Sequence, residues 1–366
     1  MATIDYSASR IFTGEQWLKD HIIRTEDGFI RDIVPAGSDV AADTMHELGN
    51  VMLVPAFIDL QIYGAGGRLL AVHPEAASLE ILNEYCKAGG AAWHQPTVAT
   101  NTKEVFFQCI DAVRAYWDQG GKGVLGLHLE GPWINPVKRG AHIESFIHPP
   151  APEEVEEMLD YGRGVITMIT LAPECCDPEL VEMIRNEGIV ISAGHSNATY
   201  VQATDFLNDG IETVTHLYNA MSPLQHRAPG LAGAVMDHKS AMASIIPDGY
   251  HVDYAALRIA KKVMGDRLFV ITDAVTETST GHYPHQLAGD KYESSGILSG
   301  SALDMITAVH NLEEHAGIAF EEALRMCSLY PAKAIGKENE LGRIEKGYRV
   351  SFTVLNMDKQ VLQILH

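Results

Sequence analysis

The chain has 366 residues, 46% hydrophobic and 20% charged, with a formal net charge of −21 at pH 7. That acidity excludes nucleic-acid binding, which needs clustered Lys and Arg on the phosphate backbone, and no apolar run approaches the ~20 residues of a membrane-spanning helix. The five cysteines at 86, 109, 175, 176 and 327 are odd in number and have no metal-ribbon spacing; together with an N-terminus that lacks the basic and apolar regions of a signal peptide, they point to reduced thiols in the cytoplasm.

Residues 1–50 read as short strands. Arg10–Gly14 and Phe29–Val34 alternate apolar and polar residues, and Glu26-Asp-Gly28 is a hairpin signal. The pattern then changes. Val51–Ile62 is a near-continuous apolar run, as expected for a strand buried on both faces. Strands and helices alternate from there. Helices are expected near 74–88, 103–117, 152–161, 178–186, 199–208 and 251–264, with strands between them. The strand ends fall at Gln61, Thr97, Glu130, Ala172, His195, His216, Pro247 and Asp273. Eight ends at intervals of roughly 20–40 residues match the βα units of an eight-stranded barrel. An open doubly wound sheet is the competing fold, but there is no Gly-rich dinucleotide loop to support it. After Asp273 come a polar, turn-rich stretch (277–300), two helices (302–316 and 320–329) and a β-like tail over 341–355. The expected architecture is therefore a (β/α)8 barrel over 51–334, with a small β-sandwich domain built from both termini, 1–50 and 335–366.

Polar groups gather at the C-terminal strand ends, where barrel active sites lie. Glu130 ends an apolar strand, and a carboxylate in that place needs a cationic partner. The strands after it deliver His195, His216 and Asp273. One carboxylate and two imidazoles make three ligands for a divalent ion, leaving a position open for water. Metal coordination brings the pKa of such a water towards neutral. Asp273 can then take the proton and return it to a departing amine.

Several stretches carry a resemblance. They are His128-Leu-Glu-Gly-Pro132, Thr170-Leu-Ala-Pro-Glu174, Ser192-Ala-Gly-His-Ser-Asn-Ala198 and Thr215-His-Leu-Tyr-Asn-Ala-Met221. Arg227–Gly233, Asp248-Gly-Tyr-His251, Thr272-Asp-Ala274, Leu298–Ser301 and Cys327–Ala334 continue the series in the same order. Together they resemble the amidohydrolase superfamily and, within it, the deacetylases of phosphorylated N-acetyl-amino sugars. The resemblance implies hydrolysis of N-acetyl-D-glucosamine 6-phosphate to glucosamine 6-phosphate and acetate, in amino-sugar breakdown or cell-wall recycling. It implies Glu130, His195 and His216 as metal ligands and Asp273 as the proton shuttle. His142 would polarise the acetamide carbonyl, and Ala141 would lie beside it on the substrate. His251 and Asp248 would lie at the sugar, Asn219 and Ala220 near the phosphate, and Leu298, Ser299 and Gly300 in a substrate-lining loop. Arg227 would meet the phosphate from the neighbouring subunit of a homodimer, which could pair again into a dimer of dimers. Zinc suits this donor set; iron, cobalt, nickel or manganese would also fit.

The pattern departs at the first strand end, where many amidohydrolases have His-x-His and this chain has Gln61-Ile-Tyr63. Glutamine and phenol are poor ligands near pH 7. One ion per subunit is therefore expected, with Gln61 reaching it at most through water and Tyr63 filling the vacant second site. No lysine stands at the fourth strand end to carry a bridging carbamate. The same chemistry on the galacto epimer remains open, as does a non-catalytic barrel kept as a binding module. Histidines 73, 148, 238, 282, 285, 310, 315 and 366 read as solvated or capping, and His128 as packed in the barrel or orienting a ligand.

Overall fold

A computed structural model describes residues 3–38, 42–294 and 296–366. The N-terminal two residues, 39–41 and 295 lie outside that description, although the first five of them fall in the expected terminal domain. The chain forms two compact units, Met1–Asp59 with Cys86–Trp93 and Asp304–His366, and Leu60–Tyr85 with His94–Leu303.

The first unit holds the strands of both termini. Phe29–Pro35, His21–Glu26, Thr3–Ala8 and Thr44–Glu47 form a four-stranded sheet. Val361–Leu365, Phe352–Leu355, Met52–Pro55, Arg10–Phe12 and Trp17–Leu18 form a five-stranded one. The expected hairpin is present: Glu26 pairs with Phe29, and Asp27 and Gly28 turn with φ of 51° and 82°. Positive φ at both central residues is what a tight turn between right-twisted strands requires. Both sheets feed one apolar core that includes Ile11, Ile23, Ile30, Leu53 and Phe352. Each such fully buried side chain contributes about 1.5–3 kcal/mol.

The apolar run Val51–Ile62 is two strands rather than one. Met52–Pro55 pairs antiparallel with Phe352–Leu355 in the five-stranded sheet, and Phe57–Ile62 opens the eight-stranded sheet. Pro55 has no N–H to continue a ladder, so the run breaks there. The tail also differs from expectation: strand is confined to Phe352–Leu355 and Val361–Leu365, with turns over most of 341–351.

The expected barrel is present. Its strands are β1 (Phe57–Ile62), β2 (Ala91–Ala99), β3 (Leu127–Glu130), β4 (Ile166–Leu171), β5 (Val190–Ala193), β6 (Thr213–Val214), β7 (Met242–Ile245) and β8 (Leu268–Val270), hydrogen-bonded in that order. The ladders from β2 to β8 are parallel. A parallel bridge between Ile62 and Ala274 closes the ring, carried by Asp273 N to Gln61 O at 3.0 Å and Tyr63 N to Ala274 O at 2.9 Å. The helices between strands follow from their apolar spacing. Lys103–Asp118, for example, buries Phe106, Cys109, Ile110 and Val113, one face at helical period. Tyr200–Asn208 starts at a capping box made by Thr199 and Gln202.

The stretch read as polar turns after Asp273 holds a small antiparallel sheet, β9 (Gln286–Leu287), β10 (Lys291–Ser294) and β11 (Ile297–Ser301). Its last residue returns to the barrel, where Ser301 N donates to Asp273 O at 3.0 Å and Val275 N donates to Ser301 O at 3.2 Å. No helix among the described residues is long and apolar enough to cross a membrane.

Candidate metal centre and active site

Register brings the chemistry to one rim. Ala99 of β2 is level with Glu130 of β3, and Glu130 is level with Thr170 of β4. β5, β6 and β8 end just before His195, His216 and Asp273. All three of these residues have left-handed backbones, with φ of 47°, 34° and 55°. Such a conformation costs a non-glycine residue about 1–3 kcal/mol and persists where surrounding structure over-determines it. Here it turns each side chain inward over the barrel mouth. Gly131 serves the same rim: its φ is +84°, and a Cβ there would lie 2.1 Å from the Thr100 hydroxyl.

Glu130, only 2% exposed, is the centre of the cluster. Its Oε1 lies 3.2 Å from His195 Nε2 and 3.1 Å from His216 Nε2, and those two nitrogens are 3.2 Å apart. Its Oε2 accepts from the Tyr63 hydroxyl at 2.5 Å and lies 3.1 Å from His142 Nε2. Burial alone would raise the Glu130 carboxyl, but the imidazoles of His195 and His142 facing it hold it well below the usual carboxylate range.

The tautomers follow from what each ring nitrogen meets. His195 Nδ1 is 2.9 Å from the Lys138 carbonyl, which can only accept. In the neutral ring the hydrogen therefore sits on Nδ1 and Nε2 turns a lone pair to Glu130 Oε1, 3.2 Å away, a pair that repels unless a proton or a metal ion lies between them. One carboxylate oxygen and two imidazole nitrogens, all within 4.8 Å of one another, form a donor set for a divalent ion. His216 Nδ1, by contrast, is buried with no hydrogen-bond partner.

His142 is the opposite tautomer. Its Nε2 meets the Glu130 carboxylate and so carries the hydrogen, while Nδ1 accepts from the Thr100 hydroxyl at 2.7 Å. Burial lowers its pKa to about 4, so the ring is neutral and Nε2 is a hydrogen-bond donor over the cavity. Tyr283 steadies this arrangement from the stretch before β9. Its hydroxyl donates to Thr100 O at 2.5 Å and accepts from Ile143 N at 3.4 Å.

Asp273 Oδ1 accepts from Gln61 Nε2 at 2.8 Å, and Oδ2 lies 4.0 Å from His251 Nε2. His251 is in turn held by Asp248, whose Oδ2 is 2.6 Å from Nδ1. Asp248 Oδ1 accepts from the backbone N–H groups of Tyr250 and His251. Asp248 thus orients His251 and does not itself line the cavity.

Above the cluster lies a cavity that opens to solvent. Its walls include Ala141, Asn219, Ala220, Leu298, Ser299 and Gly300, with His142 and His251. Arg227 is exposed and is not among the lining residues.

One of the histidines expected to be solvated or capping is placed otherwise. His285 is 5% exposed and lines the cavity, its Nδ1 2.8 Å from the Ser299 hydroxyl; the small β9–β11 sheet, unseen in the sequence, brings it there. Burial lowers its pKa to about 4. His128 packs inside the barrel, bonded to Leu60 O at 3.0 Å and Thr170 Oγ1 at 2.8 Å. Thr100, Tyr283 and His285 are site residues that sequence reasoning missed. Nothing in the local pattern marks Thr100, and Tyr283 and His285 sit in what reads as a polar loop.

Residues 52–364 match the model of the amidohydrolase family. The chain is 33% identical over 364 residues to the N-acetylglucosamine-6-phosphate deacetylase of Haemophilus influenzae, covering 96% of this chain and 95% of that one. It is 30% identical over 370 residues to the N-acetylgalactosamine-6-phosphate deacetylase of Escherichia coli O157:H7, covering 98% and 96%. Among solved structures it is similar to the N-acetylglucosamine-6-phosphate deacetylase of Pasteurella multocida, with a TM-score of 0.92 and 35% identity over 99% of this chain and 98% of that one.

Proposed function

The chain belongs to the amidohydrolase family, and from that premise we propose that it is a metal-dependent deacetylase converting N-acetyl-D-glucosamine 6-phosphate to D-glucosamine 6-phosphate and acetate, in amino-sugar catabolism or cell-wall recycling. The observation that carries the reading is the convergence of Glu130, His195 and His216 on one point beside the Asp273 carboxylate, at the floor of an open cavity.

Glu130, His195 and His216 would hold one divalent ion, with zinc suited to two imidazoles and a carboxylate. When bound, the ion supplies a water of near-neutral pKa and a Lewis acid for the amide. The other steps belong to side chains. Asp273, anchored through Oδ1 by the Gln61 amide, takes the proton from the attacking water and returns it to the leaving amine. His142 donates from Nε2 to the acyl oxygen as charge develops there; its neutral, buried state and the Thr100 hydroxyl behind it suit that role. His251, aligned by Asp248, would contact the sugar. Ala141, Asn219, the Ala220 backbone and Leu298–Gly300 would line the rest of the substrate.

The phosphate needs a cation in a strongly acidic chain. Arg227, exposed and outside the lining, fits a residue given across the interface of a homodimer, where a guanidinium could meet the phosphate with two parallel hydrogen bonds. The free cysteines suit a cytoplasmic enzyme.

Acetate release from the gluco compound and from its galacto epimer, on chelated and zinc-reloaded protein, tests the proposal. Rapid release from the gluco compound, lost on chelation and restored by metal, is expected. The similarity to the N-acetylgalactosamine-6-phosphate deacetylase of E. coli favours one second reading, and faster turnover of that epimer would establish it. No release from either sugar by the metal-loaded protein would overturn both.

A further inference from the structure

Gln61 and Tyr63 are two residues apart at the end of β1, and both side chains reach the metal centre. Tyr63 donates its hydroxyl hydrogen to Glu130 Oε2 at 2.5 Å, and its oxygen lies 2.8 Å from Gln61 Nε2. Gln61 Nε2 is also 3.0 Å from Glu130 Oε1 and 2.8 Å from Asp273 Oδ1. The Tyr63 oxygen itself is 3.4 Å from Asp273 Oδ1. Carboxylates can only accept, so the amide must present its nitrogen, not its oxygen, to Glu130 and Asp273. Between two buried carboxylates, where a cation would be the usual partner, this chain places an amide and a phenol instead.

We propose that the Tyr63 hydroxyl is the positioning group that makes Glu130 a one-oxygen ligand and, with Gln61, fills with neutral hydrogen-bonding groups the place from which a second cation would be held. The inference rests on the reading of Glu130, His195 and His216 as metal ligands and deepens it. The Tyr63 hydroxyl engages Glu130 Oε2 at 2.5 Å and, when no acyl oxygen is there to take the His142 hydrogen, His142 Nε2 faces the same oxygen at 3.1 Å, so chelation through both oxygens is disfavoured. Oε1 is left facing His195 and His216. A second ion bridging Glu130 and Asp273 would have to displace the Gln61 nitrogen, and the Tyr63 hydrogen is already committed to a carboxylate. The tyrosine at 63 is thus part of how the centre is made mononuclear. Partners that fix a ligand's orientation in this way commonly change metal affinity by about 10–100-fold when removed.

Metal binding by the full chain tests this independently of turnover. Chelated protein is titrated with Zn²⁺ in competition with a chromogenic chelator, and bound metal is counted by elemental analysis. The wild type is expected to take one ion. Tyr63→Phe is expected to take one ion about 10-fold or more weakly, with the far-UV circular dichroism of the metal-free protein unchanged. The double variant Gln61→His with Tyr63→His is expected to take two. Cobalt(II) gives a second readout: its absorption, sensitive to coordination number, should change in Tyr63→Phe as Glu130 is released. Equal zinc affinity in Tyr63→Phe, an unchanged cobalt spectrum, two ions on the wild type, or a single ion on the double variant would each overturn the assignment. A wild type that takes no ion at all would instead sink the metal reading from which the inference starts.

Discussion

At the barrel rim, His142, His195 and His216 surround one carboxylate; lower on strands β2 and β3, His94 and His128 are just as buried and meet none. Exposure does not separate the two groups, since all five are between 0% and 5% exposed. What separates them is what each nitrogen faces. At the rim, lone pairs and N–H groups point at Glu130. In the interior, His128 is satisfied by Leu60 O and Thr170 Oγ1, and both ring nitrogens of His94 have no partner. The backbone differs as well. His195 and His216 are left-handed, whereas His94 and His128 sit within regular strands. Burial of a histidine is therefore a statement about packing; convergence and strain together mark the chemistry.

The comparison is broken most severely at the rim. His195→Ala should remove a metal ligand, so activity should fall to background and bound metal should be lost, as read by elemental analysis. Retained metal would show that His195 is not a ligand. Asp273→Asn should keep the ion and lose about 10²–10⁴-fold in kcat, the usual worth of a positioned acid–base group. An active, metal-loaded Asp273→Asn protein would refute the proton shuttle. His142→Asn should cost about 10²–10³-fold in kcat, the scale of one donor to a developing oxyanion. A change confined to KM would mean that His142 binds substrate without aiding the chemistry.

Much of this rim was legible in the sequence because the barrel repeats its signal. An apolar strand recurs eight times and six of the eight ends carry a polar residue, so the sequence alone could place Glu130, His195, His216 and Asp273 on a common rim. Glu26-Asp-Gly28 was legible for a local reason, as its turn type demands those residues. The rest depended on distance along the chain. Thr100 matters only because Gly131, in the next βα unit, leaves room for its hydroxyl. His285 reaches the cavity through a three-stranded sheet whose strands run to five residues at most, too short and polar for periodicity to reveal. The split of Val51–Ile62 at Pro55 was visible as a proline, but its meaning lay in a partner strand about 300 residues later. Arg227 is exposed and lines no part of the cavity, so nothing in the local pattern tells it from a surface arginine.

The interior histidines sharpen the contrast through stability rather than rate. His128→Leu leaves Leu60 O and Thr170 Oγ1 facing an apolar side chain, which should destabilise the fold by about 1–3 kcal/mol while sparing turnover per folded molecule. His94→Leu should do the reverse at low pH. Burial lowers the pKa of His94 from 6.5 to about 3. As pH falls below 6.5, the unfolded chain binds a proton there that the folded chain refuses, so wild-type stability is lost progressively down towards pH 3. The slope for one such group is about 1.4 kcal/mol per pH unit. Leucine at 94 binds no proton in either state and leaves no orphaned nitrogen. The variant should therefore match or slightly exceed wild type near pH 7, and its advantage should widen as the pH is lowered. Urea unfolding of both proteins at pH 7.5, 6, 5 and 4.5 measures the difference directly, with other titrating groups cancelling between them. Two stability curves that stay parallel would mean that His94 finds a partner, or a proton, that its position in β2 does not reveal.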